Sequence, residues 1–126
     1  MAITHPDTTI RNTLADDVDT RLGAAATFVL SVSGTAAATL TFGNPAFGAA
    51  AAGVITANAI TSDTNATGNA SAVNRASLLL AGTTEIVRAS NVTASGGGGE
   101  VTIAGGTTIG AAATVSCSSL TYTAPA

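Results

Sequence analysis

The chain has 126 residues and a net charge of −3, built from four arginines, seven acids and no lysine. Nucleic-acid binding draws on clustered cations interleaved with stacking aromatics, and this composition offers neither, which argues against that class. The apolar share of 46% is largely alanine, with Phe28, Phe42, Phe47 and Tyr122 as the only aromatics, so the core has few large anchors and gains from area buried against neighbours.

The first 23 residues hold much of the charge. Ile10, Leu14, Val18 and Leu22 recur at every fourth position, which predicts an amphipathic helix over Thr8–Leu22. Asp7 or Thr8 suits the N-cap, Arg21 falls in the last turn, and Gly23 is a stop signal. Asp16, Asp17 and Asp19 are expected on its solvated side. Neighbouring helix positions point apart, so these acids are not expected to share a cation.

After Gly23 the pattern turns to β. Thr27–Val32 sets Phe28, Leu30 and Val32 on one face. Ser33-Gly34-Thr35 marks a turn, and Ala38–Phe42 answers with Leu40 and Phe42. Gly43-Asn44-Pro45 is a break. Gly53–Ser62 reads as a strand and Asp63–Gly68 as a polar turn. Ala70–Ala81 and Glu85–Thr93 read as a hairpin about Gly82-Thr83-Thr84. Gly96–Gly99 reads as a mobile hairpin tip, followed by strands Val101–Ala104 and Ala112–Tyr122. Short strands with no further long helix predict a mainly β fold: an antiparallel β-sandwich or barrel-like domain behind an N-terminal amphipathic helix. Residues 1–23 form an arm and helix, residues 24–126 a β-domain, and the two one globular unit.

The chemical candidates are sparse. His5, the only histidine, sits where no packed partners hold it for catalysis. Cys117, the only cysteine, allows no intrachain disulfide and reads as a buried, inert strand thiol. Asp63-Thr64-Asn65-Ala66-Thr67-Gly68 matches the first half of a calcium loop, but loop position twelve falls on Asn74, which lacks the bidentate carboxylate. An Asx-rich turn is the expected reading. The glycine run has no Lys-Ser/Thr ending for a phosphate loop. No basic patch precedes an apolar stretch at the N-terminus, and no run approaches the roughly 18 apolar residues of a membrane span. No catalytic, cofactor or metal site is expected, and the chain does not read as an enzyme.

Several stretches are familiar together. Ala2-Ile3-Thr4-His5 followed by Thr9-Ile10-Arg11-Asn12 and Ala15-Asp16 resembles the opening of small virion proteins of tailed bacteriophages. So do Leu40-Thr41-Phe42, Asn44-Pro45-Ala46-Phe47-Gly48, Ala57–Asp63 and the ending Val115–Thr123. The arm, helix and β layout also resembles capsid decoration (cement) proteins, which cap gaps between major capsid subunits, often as trimers. The resemblance implies a structural protein on the capsid surface, with the major capsid protein and copies of itself as partners. The arm and helix, Ala2–Leu22, would then lie on the shell. Ile10, Leu14, Val18 and Leu22 would pack on the chain's own sheet or on a neighbour, and Arg11 and Arg21 would meet acids of the shell. Two other readings remain open: a tail, neck or fibre-tip subunit, and a carbohydrate-binding β-sandwich. The second lacks the exposed aromatic faces on which sugars stack.

Overall fold

A computed structural model describes residues 5–125. The expected arm residues Ala2, Ile3 and Thr4 lie outside the described residues. The elements are α1 (Thr8–Leu22), β1 (Thr27–Val32), β2 (Thr35–Phe42), β3 (Val54–Thr56), β4 (Ile60–Thr61), β5 (Arg75–Leu80), β6 (Thr84–Ala89), β7 (Val92–Ala94), β8 (Val101–Ile103) and β9 (Thr121–Thr123).

Helix α1 starts and stops where the sequence signals place it. The Asp7 carboxylate accepts the amides of Thr9 at 2.7 Å and Ile10 at 3.2 Å, which satisfies donors that the first turn leaves open. Gly23 ends the helix at φ 66° and donates its N–H to the Asp19 carbonyl. The buried face is Ala15, Val18 and Leu22, whereas Ile10 and Leu14 remain 49% and 40% exposed. The expected four-residue stripe therefore splits. A helix turns every 3.6 residues, so each step of four advances by about 40°, and Ile10 stands about 120° from Leu22.

A second helix face is committed too. Asn12, Asp16 and Asp19 accept the backbone amides of Gly53 (2.7 Å), Ala50 (2.8 Å) and Phe47 (2.9 Å) through their side-chain oxygens. Asp16 and Asp19 are thus not a purely solvated side, contrary to the sequence expectation. The connection between β2 and β3 has amides with no ladder to join, and this helix face supplies their acceptors. Only Asp17 keeps the expected outward role, pairing with Arg21 at 2.7 Å. Asp19 meets a part-buried amide, so Asp19→Ala should cost about 1.5–3 kcal/mol, against about 0.5–1.5 kcal/mol for Asp16→Ala at its exposed contact. Urea unfolding of the two variants measures the difference.

Five strands form an antiparallel sheet in the order β4-β2-β1-β5-β6. Register pairs Phe28 with Leu40 and with Leu78, and Leu30 with Ala38 and Ala76, so these side chains share one face. Ala15, Val18, Leu22, Phe42, Phe47 and Ile109 join them in a single core cluster. The helix and the C-terminal segments form the second layer over this face. The mainly β fold with its N-terminal helix stands, and the layering is sandwich-like. The sheet does not close into a barrel, since β4 and β6 are its edges.

Three segments differ from the expected strands. Gly53–Ser62 divides into β3 and β4, which join different sheets. The loop through Ala70–Asn74 precedes β5, so the hairpin begins later than expected. Within Ala112–Tyr122 only the last residues form a strand, β9, against β3. Upstream, the segment exchanges single hydrogen bonds with the 63–66 turn, including Val115 N to Asp63 O at 2.8 Å and Ala66 N to Ala113 O at 3.0 Å.

The glycine run is not a hairpin tip. Strands β7 and β8 pair in parallel, Val92 with Val101 and Ala94 with Ile103, so the run crosses from the end of one to the start of the other. Gly99 donates its N–H to Thr93 Oγ1 at 3.0 Å. A Cβ on Gly97 or Gly99 would come within 2.7 Å of Thr93 or Asn91 atoms. Close backbone approach, more than looseness, is what glycine provides here. Among the described residues no helix is long and apolar enough to cross a membrane.

Candidate interaction surfaces

Three surfaces remain after the core has formed. The first is the outward stripe of α1. Ile10 and Leu14 are the only exposed large aliphatic or aromatic side chains among the described residues. Further along the helix, the Asp17–Arg21 pair shares their side. Arg11 lies beside this stripe and packs over Gly53, where a Cβ would meet its Nε at 2.9 Å. Its Nε is buried with no acceptor among the described residues. A cation in the first helical turn also sits at the positive end of the helix dipole. Of the six residues expected at an interface, Ile10, Arg11, Leu14 and Arg21 thus border open surface or lack an outside partner, while Val18 and Leu22 belong to the chain's own core.

The second surface is the face of the five-stranded sheet turned away from α1. A shallow cleft of about 420 Å³ runs across it, lined only by β1, β2, β5, β6 and their turns. Ser31 and Ser77 are buried there beneath long side chains of neighbouring strands. Register places Arg75 beside Ser31 and Arg88 beside Ser77. Glu85 accepts from Arg88 Nε at 2.8 Å and from the Ser77 hydroxyl. The Arg88 guanidinium and then the Ser77 hydroxyl hold the Glu85 carboxyl below its ordinary value. Sequence reasoning missed this trio. Its signal was there: Arg75, Glu85 and Arg88 are the only charges between Asp63 and Glu100.

A lowered folded-state pKa means that the Glu85 contribution is complete above the ordinary value of 4.5. It fades as pH falls through the lower folded value. Urea midpoints of the wild type should therefore decline on acidification below that range, and Glu85→Gln should flatten part of the decline. An unchanged pH profile in the variant would show that the pair is fully screened by solvent.

The third surface is a groove of about 740 Å³ between the core face of the sheet and the C-terminal layer. Phe28, Leu30 and Leu40 form its floor, and Val101, Ile103 and Val115 lie along its walls. Cys117 also lines it, half-buried and outside any strand, which corrects the expected strand position. Burial pushes its thiol pKa up, although the thiol donates to the Ser119 carbonyl at 3.3 Å.

The remaining candidates are engaged locally. Asp63 accepts the amides of Thr39 (2.9 Å) and Asn65 (3.0 Å), which makes the expected Asx turn and ties it to β2. Asn74 accepts from Ser33 N at 2.8 Å, so it is turned to the β1–β2 turn. Phe28, Phe42 and Phe47 stack in the core with centroid separations of 6.5 and 5.5 Å, and Tyr122 is half-buried. No group of three or more His, Cys, Asp or Glu side chains suited to a metal occurs among the described residues. Comparison with family models, curated proteins and solved structures finds no match.

Proposed function

We propose that the chain is a capsid decoration protein of a tailed bacteriophage, seated on the outside of the major capsid shell and self-associated as a trimer. The observation that carries this reading is the distribution of unused surface. Among the described residues the exposed large aliphatics, Ile10 and Leu14, stand together on one helix stripe. The outward sheet face carries hydroxyls, Val29, Leu79 and the Arg75, Arg88 and Glu85 side chains. A subunit that completes its burial by docking leaves such surfaces on the free chain.

In this reading the α1 stripe and Arg11 supply contacts to neighbours, and the cationic sheet face accepts acids of the shell. Area buried at these junctions exists only in the assembled particle, so it favours the assembled state by mass action. No chemical step is required of any residue.

The test uses capsids that lack the protein. Purified chain added back should bind at a fixed ratio to the major capsid protein and raise resistance to heat or chelator. Ile10→Asp with Leu14→Asp should weaken that binding by at least about tenfold, since two apolar contacts are worth more than about 1.4 kcal/mol. Absence of binding rejects the reading. A copy number of three or six per particle, in place of hundreds, assigns the chain to the tail or neck instead.

A further inference from the structure

We infer that Arg75 and Ser31 form a carboxylate site on the outward sheet face, and that its occupant is an aspartate or glutamate side chain of a protein partner. The inference deepens the docking reading above and rests on it for the partner, whereas the site itself is testable alone. The cleft on this face holds three charged side chains, Arg75, Arg88 and Glu85. Two of them satisfy each other. Glu85 Oε1 accepts from Arg88 Nε at 2.8 Å, and its Oε2 accepts from the Ser77 hydroxyl. Both carboxylate oxygens are engaged, and Arg75 acts on Glu85 only through space, as the last of the influences that lower its pKa. Arg75 joins no ion pair among the described residues. The cleft therefore keeps one positive charge in excess.

Local structure holds that charge in place. Arg75 begins β5 and pairs with Ser31 of β1. Its Nη1 lies against the β1–β2 turn, 3.3 Å from where a Cβ on Gly34 would stand, so glycine leaves the guanidinium its room. Asn74 ties this turn to the start of β5, accepting from Ser33 N at 2.8 Å and donating to Ser33 Oγ at 3.2 Å. Ser31 lines the cleft and is only 3% exposed, and its hydroxyl joins no hydrogen bond among the described residues. A buried hydroxyl without a partner is costly, and an acceptor reaching the cleft floor satisfies it.

The chemistry selects a carboxylate. A guanidinium fork and a carboxylate meet through two parallel hydrogen bonds. One spare charge matches a monoanion, and the Glu85 carboxylate in the same cleft repels a dianion such as phosphate. A side chain carried by a protein fits better than a free ion. A single solvent-facing ion pair holds a free ion weakly, whereas a docked surface adds contacts with Ala36 and Leu79 along the cleft.

Magnetic-resonance titration of the isotope-labelled full chain with N-acetylaspartate amide at low salt tests the site. The Arg75 Nε–H and Ser31 amide signals should move saturably, and uncharged N-acetylasparagine amide should move neither. Arg75→Gln should abolish the response at Ser31, and Ser31→Ala should weaken binding at least about threefold. Glu85→Gln removes the one anion in the cleft and frees Arg88, so it should tighten binding at least about threefold. Equal, unsaturable shifts at all four arginines, or weaker binding in Glu85→Gln, overturn the site. The capsid add-back assay identifies the occupant. Arg75→Gln should lower capsid binding at least about fivefold, with thermal unfolding close to that of the wild type, since it breaks no ion pair. Undiminished capsid binding by Arg75→Gln overturns the protein occupant, assigns the site to small carboxylates and leaves the capsid reading intact. A wild-type chain that binds no capsid rejects the capsid reading and its occupant together, while a saturable titration still sustains the site.

Discussion

Phe47→Ala should lower the melting temperature on the order of 10–25 °C, the largest loss expected from any single side-chain truncation in this chain. Phe47 is 1% exposed and is the bulkiest fully buried side chain. Its ring lies 5.5 Å from that of Phe42, which lies 6.5 Å from Phe28. The three rings bridge the β2–β3 connection, β2 and β1. Truncating a buried phenylalanine removes about 3–5 kcal/mol, a large part of the roughly 5–15 kcal/mol that holds a domain together. An alanine-rich core has few large side chains to close the void. The neighbouring hydrogen bond from the Phe47 N–H to the Asp19 carboxylate then loses its shelter as well. Thermal unfolding followed by circular dichroism decides this, and a loss of only a few degrees would mean that the rings are not the keystone of the core.

That role was not readable in the sequence. Phe47 sits in a connection with no strand or helix period around it, so pattern reasoning had no face on which to place it. Where the signal is local, the outcome is close to expectation. The Asp7 cap, the Gly23 stop, the Ser33-Gly34 turn and the Gly82 turn all depend on residues a few positions apart. Where pairing is long-range, composition misleads. Val92–Ala94 and Val101–Ile103 look like a hairpin joined by glycines, yet they run parallel. The alternation of Val115 and Cys117 against Ser116 and Ser118 looks like a strand, yet the segment is held by single bridges to the 63–66 turn. An inside–outside alternation reports burial, not the presence of a partner strand.

The interaction residues show the same division. Ile10, Leu14, Val18 and Leu22 fall together on the pattern because four is close to the helical period. The residual of about 40° per step is what separates core from surface along α1. Asn12, Asp16 and Asp19 follow a spacing of four and three, which also marks one helix face, but polar residues there look solvated until the loop amides that they accept are in place. The Arg75, Glu85 and Arg88 group needed the β5–β6 register. A bulge between Leu78 and Leu79 shifts that register, and no simple alternation foresees it.

Gly68→Ala should destabilise the chain by about 3–5 kcal/mol, and Gly82→Ala by only about 1–2 kcal/mol. Both glycines have nearly the same backbone, φ 73° and 72°, so the cost of the left-handed conformation is shared. Their surroundings differ. A Cβ on Gly68 would lie 2.4 Å from Ala111 N and 2.6 Å from Gly110 C, whereas one on Gly82 meets nothing within 4 Å. Gly68 donates to Ala37 O at 2.9 Å, and its neighbours bond across to the same C-terminal stretch through Asn69 N to Ile109 O and Ala112 N to Ala66 O, each at 2.8 Å. The glycine is the point where the C-terminal layer is pinned to β2. Pushing the 110–112 backbone away sacrifices those bonds and loosens Ile109 from the core, and the groove wall goes with it. Urea unfolding of the two variants isolates the close approach from the torsional strain, and equal losses would show that the C-terminal layer yields freely at this point.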